Sequence, residues 1–137
     1  MALDVLIVDD SATTRALVRV VLEASKVIEV IGEAKDGREG VDLATSLRPD
    51  VITMDVNMPV MNGYEATLEI MGTNPTPIVV LTSLRRDDLI HEGLDILLAG
   101  ALDIVEKPSA IGERDYRVVG EELVGKIKAV AGIRLTA

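Results

Sequence analysis

Five short apolar runs, separated by segments with a single apolar face, constrain this chain more than any other feature. "VLIV" (Val5–Val8), "IEVIGEA" (Ile28–Ala34), "VITMD" (Val51–Asp55), "IVVLT" (Ile78–Thr82) and "LDIV" (Leu102–Val105) are rich in β-branched residues and read as strands. Helical patterns stand between them. "SATTRALVRVVLEAS" puts Leu17, Val18, Val21 and Leu22 on one face, with Ser11 placed as its N-cap. "DGREGVDLATSLRP" turns Val41, Ala44 and Leu47 inward and is ended by Pro49. The loop "VNMPVMNG" leads into a helix that runs to about Met71. A helix over Asp87–Ala99 shows Ile90, Leu94 and Leu97 on one face. The last, "VVGEELVGKIKAVAGI", turns Leu123, Val124, Ile127 and Val130 inward. Strand followed by helix, five times over, predicts an α/β fold with a parallel sheet covered on both faces.

Composition narrows the functions open to such a fold. The chain has 137 residues, the size of one domain spanning 1–137, with no internal repeat or linker. It is 48% hydrophobic, and that core is aliphatic: there is no Phe or Trp, and the only Tyr are Tyr64 and Tyr116. Scarce aromatics and a net charge of −9 argue against a nucleic-acid partner, since there is neither a stacking surface nor a cationic field. The absence of Cys rules out disulfides, thiolate chemistry and Cys-based zinc sites. The opening "MALDVLIVDD" lacks a basic region and a long apolar run, and no segment is long and apolar enough to span a bilayer. A cytoplasmic domain with no membrane partner is expected.

The chemistry lies in what ends each strand. The first runs into Asp9-Asp10, the third into Asp55, the fourth into Thr82, and the fifth into Glu106-Lys107-Pro108. Ligands of open parallel sheets bind at the carboxyl ends of strands, at the switch point of the topology. With strand order 2-1-3-4-5, the first and third strands are neighbours there, and Asp9, Asp10 and Asp55 converge. Three carboxylates so close repel one another unless a cation intervenes. Mg²⁺ takes oxygen ligands and leaves room for a phosphate oxygen. Lys107 adds an ammonium and Thr82 a hydroxyl, the equipment for stabilising charge in phosphoryl transfer. Asp55 is then the nucleophile that forms an aspartyl phosphate. Taken singly, Asp10 reads as a helix cap, Thr82 as a structural hydroxyl and Lys107 as a surface lysine; the signal is their joint order along the strands.

In "VLIVDDSATTR", "DVITMDVNMPVMNGYE", "IVVLTSL" and "DIVEKPS" the chain resembles the receiver domain of two-component response regulators over essentially its whole length. The strand order 2-1-3-4-5 comes from that resemblance and not from the residues; chemotaxis receivers are a standard example of this flavodoxin-like (βα)5 order. The resemblance implies a phosphoprotein switched by a histidine kinase. It makes Asp55 the phosphoacceptor, Asp10 a direct Mg²⁺ ligand and Asp9 one acting mainly through water. Asn57 supplies a backbone carbonyl to the metal, Thr82 is the hydroxyl that moves to the phosphoryl group, and Lys107 is the family's lysine. "DDSATTR", "VLTSL" and "EKPS" are more closely similar to the regulatory domain of the chemotaxis protein-glutamate methylesterase. In that family a C-terminal serine-hydrolase domain follows. This chain has no Gly-x-Ser-x-Gly elbow, and its one His, His91, falls on an expected surface helix, so a switch and not an esterase is expected.

Three features of the sequence bear on how such a switch would work. Three residues before the lysine the family usually has Tyr or Phe, whose ring swings inward on phosphorylation; here it is Ile104, which leaves the usual readout without its ring. Leu84 cannot hydrogen-bond an attacking water, which implies slow self-dephosphorylation, although Asn57 could still orient one. A cis Lys107–Pro108 bond is expected, to turn Lys107 back toward Asp55. Met54, Met58, Met61 and Met71 read as core filler. Two readings of other classes stand beside the receiver. One is a small Mg²⁺-dependent phosphatase with an aspartyl nucleophile, for which Asn57 cannot be the general acid. The other is an interaction module that keeps the fold without being phosphorylated.

Overall fold

The computed structural model describes residues 2–82, 95–107 and 116–133. Five parallel strands, β1 (Leu3–Val8), β2 (Ile28–Ala34), β3 (Val51–Asp55), β4 (Ile78–Thr82) and β5 (Asp103–Glu106), form one sheet in the order β2-β1-β3-β4-β5. This is the expected flavodoxin-like order. The helices are α1 (Ala12–Glu23), α2 (Gly37–Leu47), α3 (Gly63–Thr73), α4, described over residues 95–98, and α5 (Tyr116–Val130). Among the described residues no helix is long and apolar enough to cross a membrane.

Alternation along the strands divides the core in two. Val5, Ile7, Val51, Val79, Leu81 and Val105 face a layer completed by Val18 and Leu22 of α1 and by Leu123 and Ile127 of α5. Leu6, Val8, Ile52, Met54, Ile78 and Val80 face the other layer, with Val41, Ala44, Ala66, Ile70 and Ile96 from α2, α3 and α4. Burial on both faces is why these strands carry no polar alternation. Met54 is fully buried in the second layer, and Met58, Met61 and Met71 pack against it, as gap-filling side chains would. The helix starts follow local chemistry. Ser11 caps α1 by accepting from Thr14 N–H, and Asp36 caps α2 by accepting from Glu39 N–H. Asn62 and Glu65 form a reciprocal capping box at α3.

Two inward assignments are corrected. Leu47 is 39% exposed, because β2 is an edge strand; its Cδ1 lies over Gly32, where an added Cβ would meet it at 2.7 Å. In α4 it is Ile96, and not Leu97, that enters the core. Ile90, Leu94, His91, Leu84 and the Lys107–Pro108 bond lie outside the described residues.

The β3–α3 loop places the end of β3. Met61 N–H donates to Pro59 O at 2.6 Å, closing a three-residue turn with Val60 at φ 66°, a left-handed conformation that β-branched residues rarely adopt. Gly63 then sits against the backbone of Asp55, its N–H bonded to Val56 O at 2.8 Å. A Cβ at Gly63 would collide with Asp55 O. Gly63→Ala must therefore push α3 away from the end of β3. The expected loss is about 1–3 kcal/mol of stability, read as a lower urea midpoint.

Candidate functional site

Parallel pairing sets the site. β1 lies between β2 and β3, and Val8 pairs with Met54, so the residues that follow, Asp9 and Asp55, emerge side by side at the carboxyl edge. β5 pairs with β4 through Thr82 and Glu106, which delivers Lys107 to the same edge; Lys107 N–H donates to Thr82 O at 2.9 Å. Asp9, Asp55, Thr82 and Lys107 are all buried, whereas Asp10 and Asn57 are exposed.

The Lys107 ammonium stands 3.0 Å from Asp9 Oδ2 and 3.0 Å from Asp55 Oδ1. Asp55 Oδ1 also accepts from Val56 N–H at 2.8 Å. Both of these contacts fall on Oδ1. Burial pushes the Asp55 carboxyl up to about 6; Lys107 and the Val56 N–H pull it down, while the Asp9 charge adds to the rise. Burial lowers the Lys107 pKa, but its contacts with the Asp9 and Asp55 carboxylates prevail and it stays above its ordinary value, firmly charged.

Oxygens of Asp9, Asp10 and Asp55 lie within 4.8 Å of one another. Asp9 Oδ2 is buried and, among the described residues, receives no well-aimed hydrogen bond beyond its ion pair with Lys107. Three carboxylates against one ammonium leave two negative charges. An all-oxygen donor set with that deficit fits a hard divalent cation such as Mg²⁺. The sequence-derived set Asp9, Asp10, Asp55 and Lys107 is thus brought together, with Thr82 on the adjoining strand. Asn57 lies two residues past Asp55, on the surface.

Two participants were not found from the sequence. Gly63 has no chemical signature beyond its size. Arg15, one turn into α1, reaches back to the acid pair: its Nη1 donates to Asp9 O at 2.7 Å, and its Nε to Glu33 Oε1 at 3.2 Å. Glu33 Oε2 accepts from Arg19 Nε at 2.7 Å. The i, i+6 spacing from Asp9 to Arg15 across a helix start was the available signal.

The family described as response regulator receiver domain matches residues 5–116. A protein-glutamate methylesterase/protein-glutamine glutaminase from Carboxydothermus hydrogenoformans is 47% identical over 130 residues, covering 95% of this chain and 36% of that protein. One from Methanococcus maripaludis is 44% identical over 124 residues, 90% of this chain and 34% of that protein. The chain thus spans about a third of the length of these relatives. The crystal structure of the response regulator domain of Thermotoga maritima CheB superposes with a TM-score of 0.87 at 38% identity, covering 98% of this chain and 99% of that one.

The raised Asp55 carboxyl has a consequence for stability. Asp55 holds its proton more tightly folded than unfolded, so the folded protein binds more protons between its ordinary value of 3.8 and about 6, and loses stability as pH rises through that window. Asp55→Asn removes the buried charge. In the metal-free protein it is expected to be stabilising near neutral pH by about 1–3 kcal/mol, with the gain vanishing toward about pH 4. Urea midpoints of the two proteins in a chelator, compared across pH, check this.

Proposed function

This chain belongs to the response regulator receiver family, and from that premise we propose that it is a switch which accepts a phosphoryl group on Asp55 from a phosphorylated histidine kinase. The observation that carries the reading is the placement of the Lys107 ammonium 3.0 Å from both Asp9 and Asp55, beside a carboxylate cluster within 4.8 Å. Asp9, Asp10 and Asp55, with the backbone carbonyl of Asn57, would hold Mg²⁺. Bound Mg²⁺ would supply positive charge against the oxygens of the transferring group. Asp55 Oδ2 attacks phosphorus, the new P–O bond forms as the P–N bond to the donor imidazole breaks, and the P–N electron pair stays on the ring, which leaves as neutral imidazole keeping the proton already on its other nitrogen. Lys107 offsets charge on Asp55 and then on the phosphoryl group. Thr82, at the end of the neighbouring strand, donates its hydroxyl to a phosphoryl oxygen once that charge arrives.

Residues 1–137 act as one receiver unit in this reading, in the cytoplasm, where a histidine kinase would meet it. The similarity to methylesterases suggests a chemotaxis pathway and, in a longer protein, a methylesterase domain joined after α5 and controlled by the receiver. The chain itself would be a signalling switch. No observation favours the phosphatase alternative: Asn57, at the position a general acid would need, carries an amide.

Incubation with acetyl phosphate and Mg²⁺ is expected to add one phosphoryl group, seen by intact-mass spectrometry. Asp55→Asn should abolish the adduct. Asp10→Ala should weaken Mg²⁺ binding by more than about tenfold, since even the loss of an outer-shell partner costs about that much. An undiminished adduct in Asp55→Asn would refute the assignment.

Ile104 sets a second expectation. It is half-buried and packs against the layer formed with α2, α3 and α4. A short β-branched side chain has few rotamers and no second, solvent-exposed position to leave. Phosphorylation, mimicked by beryllofluoride with Mg²⁺, should therefore shift the NMR signals of Thr82 and its successors strongly and those of residues 118–130 weakly. A rotamer exchange at Ile104 with equally large shifts along α5 would overturn this.

A further inference from the structure

We propose that Arg15 is a positioning residue for the cation site, its guanidinium fixing the peptide between Asp9 and Asp10 so that both carboxylates are presented at the end of β1. The inference rests on the receiver reading above.

Every polar atom of Asp9 except Oδ2 is hydrogen-bonded, and Oδ2 is ion-paired. Its N–H donates to Ala34 O at 3.0 Å, Oδ1 accepts from Ser11 N–H at 2.9 Å, and Oδ2 pairs with Lys107 at 3.0 Å. The remaining atom, the carbonyl oxygen, accepts from Arg15 Nη1 at 2.7 Å. That carbonyl belongs to the planar peptide whose nitrogen is Asp10's, so the bond that turns it also turns the Asp10 backbone. Asp10 needs such control. Its side chain is exposed and, among the described residues, takes part in no hydrogen bond or ion pair. The backbone alone aims it.

Arg15 is itself aimed. Its Nε donates to Glu33 Oε1 at 3.2 Å, and Glu33 is held on its other oxygen by Arg19 Nε at 2.7 Å. A planar fork can satisfy a carboxylate and a carbonyl at once in a fixed geometry, which a lysine cannot. Glu33 also offsets a charge that would otherwise repel the cation. This makes the sign of the effect diagnostic. If Arg15 acted only through its charge, removing it would tighten cation binding; if it positions the acid pair, removing it weakens binding.

The experiment is calorimetric titration of this chain with Mg²⁺, for the wild type, Arg15→Gln, Arg15→Lys and Glu33→Gln, with urea midpoints measured alongside. Arg15→Gln is expected to weaken Mg²⁺ binding by roughly tenfold, with Arg15→Lys and Glu33→Gln losing less. Acetyl phosphate labelling of Arg15→Gln should recover when Mg²⁺ is raised, since the chemistry at Asp55 is intact. Unchanged or tighter Mg²⁺ binding in a folded Arg15→Gln overturns the inference and leaves the receiver reading standing, even if the urea midpoint falls. A wild type that neither binds Mg²⁺ nor is phosphorylated overturns both. If Arg15→Gln does not fold, Arg15→Lys and Glu33→Gln decide: wild-type affinity in both overturns the proposal.

Discussion

Asp9 and Asp55 are carboxylates removed from water beside one another, and the Lys107 ammonium between them makes that arrangement tolerable. A buried charge without a partner costs several kcal/mol, so the strand ends that carry these residues are tied to one another by more than packing. Lys107 satisfies both acids at 3.0 Å, yet one ammonium cannot neutralise Asp9, Asp10 and Asp55 together. Burial pushes the Asp55 carboxyl up, and the Asp9 charge adds to that push. The site is built under electrostatic tension that a cation or a proton relieves, and that tension would make it responsive to charge added at Asp55.

Placing three charges at one edge demands a rigid frame. The parallel order puts β3 beside β1, so Asp55 at the end of β3 and Asp9 directly after β1 meet at one edge. The two apolar layers fill both faces of every central strand, which fixes register, because a slip of one residue would send the whole strand's side chains to the wrong layer. Gly63 lets α3 begin directly against Asp55's own backbone, and the left-handed Val60 turns the loop back in time to do so. Strain in that loop is held by the Asn62–Glu65 capping box and the Gly63–Val56 hydrogen bond on either side of it.

What the sequence disclosed follows from where physics is local. Strands buried on both faces are visible as unbroken apolar runs, and β3 and β4 lie where those runs stand; the edge strand β2, interrupted by Glu29, Gly32 and Glu33, also keeps its expected bounds, while β1 begins two residues earlier and β5 is displaced by one. The acids, hydroxyl and lysine stood out because they follow those runs directly. Strand order was not legible from the residues, since nothing in an apolar run names its neighbour; it came from the family resemblance. Leu47 and Leu97 misled because helical periodicity locates a face to within one residue, and which residue is covered depends on the neighbour's edge. Arg15 and Gly63 were missed for a shared reason. Their contribution is to a backbone atom, Asp9 O in one case and Asp55 O in the other, and backbone partners leave no signature in residue type.

Ile104 would redistribute such a switch without touching its chemistry. β4 and β5 are joined by their ladder, with Val80 opposite Ile104 and Thr82 opposite Glu106, and by the Lys107 N–H on Thr82 O. A pull on the Thr82 side chain toward a phosphoryl group would leave that ladder in place, because the hydroxyl can turn about χ1 while the carbonyl keeps its bond. Motion would pass to β5 only if a side chain there moved into the space Thr82 leaves. An aromatic ring with two resting places could do so. Ile104 has one, against the apolar layer of Ile78, Val80 and Ile96. A packed aliphatic layer resists being half-vacated. The energy released at Asp55 would therefore be spent nearer its source, in the chain that continues from Thr82, and a partner reading this receiver would gain most by touching that segment.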